Sequence, residues 1–196
     1  DSSETTWIWA EGRGQYHLVT GQIGSWTKLK TLIQSELRVV KETNGKQTII
    51  SNYTLIGTAD PTTIGTYTLY VEYNNQNLAT ITVDVADAAT SFIRESSTIN
   101  QEFGSVYQGA DEGTDTGATV TLRFENGAEV EVPVLVGMLK DAEGNPVDTS
   151  KLGTYENLQV WYQKQQIPGT FTLYVTDKNY PVYPNVGSVK VDKTAT

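Results

Sequence analysis

The 196-residue chain has no cysteine, one histidine and one methionine. Without cysteine there is no disulfide scaffold, no cysteine nucleophile and no cysteine-based zinc site. The absence does not indicate a reducing compartment, because many secreted proteins also lack cysteine. The single histidine, His17 in QYHLVT, cannot build a triad or a two-histidine metal site. It could serve as a lone acid or base, but the default reading is a strand-edge histidine near the surface. No serine stands in a G-x-S-x-G elbow. Alanine-, leucine- and glutamate-rich stretches that favour helices are nearly absent, as are heptads and runs of lysine or arginine. No apolar run approaches the roughly 20 residues a membrane helix needs. No signal peptide or anchor is visible, so an exported parent implies that this segment was cut from a larger chain. The net charge is -9 and the pI about 4.6. A surface of that sign repels phosphate backbones, which argues against nucleic-acid binding.

What the chain does have is β-forming residues. Threonine, valine, tyrosine and isoleucine recur throughout. Eleven tyrosines and four tryptophans argue against disorder, since disordered chains are poor in aromatics.

Internal repetition gives the organisation. Gly65 to Val71 reads GTYTLYV and Gly169 to Val175 reads GTFTLYV, differing only at Tyr67 against Phe171. An alternating strand follows each: ATITVDV (79–85), with Ile81, Val83 and Val85 on one face, and GSVKVDK (187–193), with Val189 and Val191 on one face. Period-2 alternation marks a half-buried strand. Upstream of each copy an Asn-Gly pair, Asn44-Gly45 or Asn126-Gly127, separates two strand-like runs. Both residues tolerate the positive φ of a type I′ turn, so each pair predicts a hairpin. In the second, Val120, Leu122 and Phe124 share one face, and Val130, Val132, Val134 and Val136 another. This register treats Asp141–Gly153 and the strand-like YENLQVWYQ (155–163) as an insertion in the second unit. A rival register matches DPTTIGTY (60–67) to DTSKLGTY (148–155). The first is preferred here because it gives both units the same closing strand. The boundary falls near Ala86 to Ser91, where small polar residues replace the strand pattern.

These pieces resemble the bacterial immunoglobulin-like domains found in tandem on surface proteins. The resemblance rests on the Asn-Gly hairpin, then DPTTIGTY (60–67), an alternating strand and TITVDV, over Leu37–Val85 and more loosely Ala118–Val191. It implies a seven-strand-like sandwich, an extracellular location, and a role in adhesion or as a spacer. It also implies a tyrosine corner at Tyr67, with Leu69 at the place of the second cysteine. In the preferred register Phe171 and Leu173 match them, and the corner hydroxyl is missing.

Chemistry-bearing clusters are sparse. Asp111, Glu112 and Asp115, and Asp141, Glu143 and Asp148, lie on glycine-containing loops that could hold calcium. Neither matches the regular D-x-[DN]-x-[DN]-G loop, and a solvated loop is the default. No carboxylate pair nominates itself for glycoside hydrolysis. EGRGQ (11–15) lacks the G-K-[ST] ending of a phosphate loop and reads as a turn. Lysine and asparagine are available for an isopeptide cross-link, but no motif singles out a trio. The aromatics are the better lead. Trp7 and Trp9 alternate onto one face, Trp26 follows, and Trp161 and Tyr162 point to opposite faces, one toward a core and one outward. Exposed tryptophan and tyrosine stack on sugars and anchor interfaces, whereas the bland reading buries one tryptophan in each core.

The sequence therefore predicts an all-β chain of two tandem immunoglobulin-like antiparallel β-sandwiches, at 1–88 and 89–196, the second with an inserted strand region. The expected function is a non-catalytic structural or adhesion module of a larger bacterial cell-surface or secreted protein. A carbohydrate-binding module of a secreted glycan-active enzyme is the alternative. The ligand-binding candidates are Trp7, Trp9, Trp161 and Tyr162. No catalytic residue, metal or cofactor is expected. The candidate partner is a host or cell-wall glycan or protein, with no nucleic acid, no membrane insertion and a monomeric chain.

Overall fold

The computed structural model describes residues 5–178. The chain divides into two compact units. One runs to Ser91 and includes the short segment Phe124–Ala128; the other comprises Phe92–Arg123 and the chain from Glu129 onward. Both are built mainly of strands.

In the first unit, β1 (Thr6–Glu11), β2 (Gln15–Val19), α1 (Trp26–Glu36), β3 (Arg38–Thr43), β4 (Lys46–Ile50), β5 (Thr54–Ile56), β6 (Gly65–Tyr73) and β7 (Gln76–Ala86) follow in order. They make a three-stranded sheet β1-β3-β4 and a four-stranded sheet β2-β7-β6-β5. Gly12, Arg13 and Gly14 carry the chain from one sheet to the other. EGRGQ is thus a turn, though one that changes sheets. Every pairing is antiparallel except β2 with β7, which is parallel. Alternate side chains of both sheets meet in one core: Val39 and Ile50 with Leu18, Leu69, Val71, Ile81, Val83 and Val85. Burying each contributes about 1.5–3 kcal/mol.

α1 was not anticipated by the strand-rich composition. It forms because Ser25 caps it, its hydroxyl oxygen accepting from the Lys28 amide at 3.2 Å. Leu29 and Ile33, one turn apart, enter the core, and Trp26 packs against it from the first turn.

The second unit contains β8 (Thr98–Ile99), β9 (Phe103–Tyr107), β10 (Asp115–Arg123), β11 (Glu129–Leu135), β12 (Leu139–Lys140), β13 (Gly153–Tyr162) and β14 (Gln165–Thr176). Its sheets are β11-β10-β8 and β12-β13-β14-β9, again with one parallel pair, β9 with β14. Buried side chains include Val120, Leu122, Val134, Leu158, Val160, Ile167, Phe171, Leu173 and Val175. Gly104 of β9 is needed for close approach: a Cβ there would stand 2.6 Å from the Thr116 carbonyl oxygen of β10.

The two strand orders correspond, and they follow the rival register of the repeat. In β6–β7, Gly65 pairs with Val85 and Tyr67 with Val83; in β13–β14, Gly153 pairs with Val175 and Tyr155 with Leu173. DPTTIGTY and DTSKLGTY are therefore equivalent. YENLQVWYQ supplies most of β13, the counterpart of β6. The GTYTLYV and GTFTLYV copies lie in non-equivalent strands, β6 and β14. Both are central strands of a four-stranded sheet, and both send Leu and Val into a core, so the same alternation serves both places. The closing strand expected at 187–193 lies outside the described residues.

Four hairpin turns show where Asn-Gly chemistry applies. Asn44 and Gly45 have φ of 53° and 83°, as a type I′ turn needs. At the second Asn-Gly only Gly127 is positive, at 87°. There the Gly127 amide donates to the Phe124 carbonyl and the Phe124 amide to the Ala128 carbonyl. This is a three-residue loop with glycine in the left-handed position, which corrects the two-residue type I′ expectation. The remaining two-residue turns are Asn74-Asn75 and Gln163-Lys164, all four residues at positive φ.

Candidate functional site

Ile8 and Ala10 of β1 pack against the first unit's core, so the alternate residues Trp7 and Trp9 face away from it. Trp7 is 61% exposed and Trp9 half-buried. Register extends this face across the sheet. Trp7 stands opposite Glu42, which stands opposite Gln47; Trp9 stands opposite Val40, which stands opposite Ile49. Ile49 is 56% exposed, whereas Val40 is shut off from solvent. The Trp9 indole N–H donates to Glu11 Oε1 at 2.7 Å, which fixes that ring. The Gln47 amide donates to Glu42 Oε1 at 3.2 Å, leaving the other carboxylate oxygen available.

The equivalent sheet of the second unit follows the ordinary rule. Thr121 stands opposite Glu131 and Arg123 opposite Glu129 on the face away from the core, and Arg123 and Glu129 form an ion pair. The fold therefore does not require an apolar outer face. The tryptophans of β1 are a local departure from it, and exposed apolar patches of this kind mark contact sites.

Trp161 and Tyr162 do not join such a patch. Tyr162 meets Phe92 edge to face, ring centroids 5.4 Å apart. Trp161 faces the other way but is half-buried: its N–H donates to Gln159 Oε1 at 2.9 Å, and the Lys140 ammonium sits 4.2 Å over its ring. None of the four tryptophans belongs to the fully buried core, so the one-per-core expectation is corrected. The buried side chains are mostly aliphatic, with the aromatics Tyr16, Phe92, Phe124 and Phe171 among them.

The acidic loops have structural uses. Asp111 Oδ1 accepts from the Gly113 amide and the Thr114 hydroxyl, and Asp115 Oδ1 from the Gly117 amide. Asp141 Oδ1 accepts from the Glu143 and Asn145 amides. Among the described residues no group of three or more acidic or histidine side chains is placed to hold a metal ion. Asp60 and Asp148 occupy equivalent turns, and hydroxyl donors, Thr62 and Ser150 respectively, hold both carboxyls below the usual range, with the backbone amides of the same residues adding to this. The turns end in matching tethers: Tyr67 OH donates to the Thr63 carbonyl at 2.9 Å and Tyr155 OH to the Lys151 carbonyl at 2.6 Å. The second unit thus has the tyrosine tether expected to be missing there, carried by Tyr155 and not by the position of Phe171.

One further polar cluster lies at the end of α1. Arg13 stacks 3.9 Å over the Tyr16 ring and pairs with Glu36 at 2.8 Å, while Tyr16 OH donates to the same carboxylate at 3.3 Å. Burial pushes the Tyr16 hydroxyl's pKa up. Every member is partnered within the cluster, which ties the helix to the turn before β2. His17 is exposed on β2, its Nδ1 3.8 Å from Asp84 Oδ2 on the paired strand. Among the described residues no helix is long and apolar enough to cross a membrane.

Comparison with protein-family models and with curated protein sequences gives no match.

Proposed function

We propose that this chain is a non-catalytic structural and adhesion segment of a bacterial cell-surface or secreted protein, built from two immunoglobulin-like sandwiches in tandem. The observation that carries the reading is the parallel pairing of an early strand with a late one in both units. In the first unit Gln15–Val19 lies beside Thr82–Ala86, and in the second Phe103–Tyr107 lies beside Thr172–Thr176. Each ladder is closed at both ends by the same hydrogen bonds. Thr82 N–H donates to Gly14 O and Thr20 N–H to Ala86 O; Thr172 N–H donates to Glu102 O and Gln108 N–H to Thr176 O. Tension entering at the early strand and leaving at the late one runs along such a ladder. Its hydrogen bonds are then sheared together, where a hairpin pulled open loses them one at a time. That geometry suits a spacer under load. The first strand divided between two sheets, the hairpin that follows it and the tyrosine tethers support the immunoglobulin-like reading.

The test is single-molecule pulling from the two ends of the chain. Two unfolding events are expected, each releasing roughly 30 nm for a unit of about 90 residues at 3.3–3.6 Å per residue. Thr20→Pro should lower the force of one event and Gln108→Pro that of the other, because each removes a ladder donor. Unchanged forces in both variants would overturn the load-bearing role.

A second reading, carbohydrate binding, is favoured by one observation: the solvent-facing tryptophan of β1 beside a second tryptophan and free carboxylate oxygens.

A further inference from the structure

We infer that the outer face of β1-β3-β4 binds a neutral glycan chain, with Trp7 as the stacking platform and Glu42 and Gln47 as hydrogen-bonding partners of its hydroxyls. The inference rests on the carbohydrate reading of this face and deepens it to a ligand class and a residue set.

A pyranose ring offers a flat apolar C–H face and a rim of hydroxyls. Recognition therefore calls for an exposed aromatic face with hydrogen-bonding groups at its margin. Trp7 supplies the first. It is open to solvent on an antiparallel sheet, and its neighbour Trp9 lies about 7 Å along the strand, two residues at roughly 3.4 Å each. That spacing gives room for two adjacent sugar rings. Trp9 is held by Glu11, so it adds surface without losing much freedom on binding. Directly across from Trp7, the Glu42 carboxylate keeps an acceptor oxygen free of Gln47, and Gln47 keeps its amide oxygen. Ile49 extends the apolar surface on β4.

Charge selects among glycans. Glu11 and Glu42 flank the tryptophans, and among the described residues of the face the one cation, Arg38, stands opposite Glu11 in the register. A uronate, sulfate or phosphate on the sugar would face carboxylates at short range, with no cation of the described residues opposite Trp7, whereas hydroxyls find acceptors there. The chain's charge of -9 adds to this bias. The same sheet of the second unit carries threonine, arginine and glutamate, so its described residues provide no second copy of the platform.

The test is titration of the whole chain with cellohexaose, chitohexaose and maltohexaose, followed by tryptophan fluorescence and calorimetry, with trigalacturonate as the anionic comparison. Saturable binding of at least one neutral hexaose is expected. Trp7→Ala should weaken it at least about tenfold, as truncation of a central aromatic contact does. Glu42→Gln should weaken it severalfold, and Trp161→Phe should leave it unchanged. Trp7 is largely exposed, so the alanine variant should melt as the parent does. Failure of all three hexaoses to bind at millimolar concentration, or full binding by Trp7→Ala, overturns the site. Trigalacturonate binding as well as the best neutral sugar overturns the neutral class. Binding lost with Trp161→Phe and kept in Trp7→Ala would retire this face while leaving a carbohydrate-binding chain.

Discussion

Replacing Tyr155 by phenylalanine, in parallel with Phe171 by tyrosine, separates the two possible correspondences between the units. Tyr155 OH donates to the Lys151 carbonyl and its ring is half-buried. Removing the hydroxyl deletes one neutral hydrogen bond, with a net cost of about 1 kcal/mol. Phe171 is 1% exposed at the centre of the second core, opposite Leu158. A hydroxyl added there enters an apolar, close-packed site, and the cost of an unsatisfied buried polar group is about 1–3 kcal/mol before any overpacking. Hydrogen exchange by mass spectrometry localises both effects to the β13–β14 ladder. Slow amides there should lose about fivefold in protection in Tyr155→Phe. In Phe171→Tyr they should lose about fivefold to a hundredfold, at 1.4 kcal/mol per factor of ten. The peptides of β6–β7 report the first unit and serve as the internal reference. If Phe171→Tyr gained protection while Tyr155→Phe changed nothing, the tether would belong at residue 171. The equivalence of DPTTIGTY with DTSKLGTY would then be wrong.

Acid should loosen both tethered turns. The carboxyls of Asp60 and Asp148 have pKa values lowered on folding by hydroxyl and amide donors, so their contribution is present above the unfolded-state value and is lost as pH falls through the folded one. Protection factors in 58–67 and 146–155, taken against the intrinsic exchange rate at each pH, should therefore fall below about pH 4, and Asp60→Asn should abolish that fall in the first segment. An unchanged profile in Asp60→Asn would show that another group sets it. At the β13–β14 turn, Gln163 and Lys164 sit at φ of 46° and 64°. Gln163→Asn with Lys164→Gly should raise stability by about 1 kcal/mol, because the left-handed region costs ordinary residues roughly that much each and glycine returns part of it as chain entropy. A higher urea midpoint with an unchanged slope is the expected readout, and a lower midpoint would refute it.

Much of the strand layout was legible from period 2 alone. Ile81, Val83 and Val85 alternate because β7 is half-buried, and the Asn44-Gly45 hairpin follows from two residues that accept positive φ. Other features were hidden for physical reasons. α1 is only 11 residues long, with lysine, threonine and glutamine over most of its surface, yet Ser25 followed by Trp26, Leu29 and Ile33 held the signal for it. The Gln163-Lys164 turn has no glycine or asparagine to announce it; the pairing of β13 with β14 imposes it. The repeat register misled because two copies of seven residues match better than two copies of a turn. The turn is nevertheless what the fold uses twice, since a carboxylate cap and a tyrosine tether require particular atoms at particular places. A strand facing a core requires only alternation.

The same distinction explains what could be read of the candidate site. Alternation put Trp7 and Trp9 on one side of β1 but could not say which side was the core, because WIWA is apolar on both. Pairing with β3 decides it. Ala10 meets Val39, whose other neighbour Ile50 is buried, so Trp7 and Trp9 take the remaining face. Trp161 and Tyr162 look equally promising in sequence, yet packing against Phe92 and beneath Lys140 accounts for both. A tryptophan satisfied by its own unit needs no ligand to explain it. Trp7 has no such explanation, and its counterpart face shows that the fold works without one. That asymmetry between two units of equal topology makes the face of β1 a stronger lead than the aromatic content of the chain.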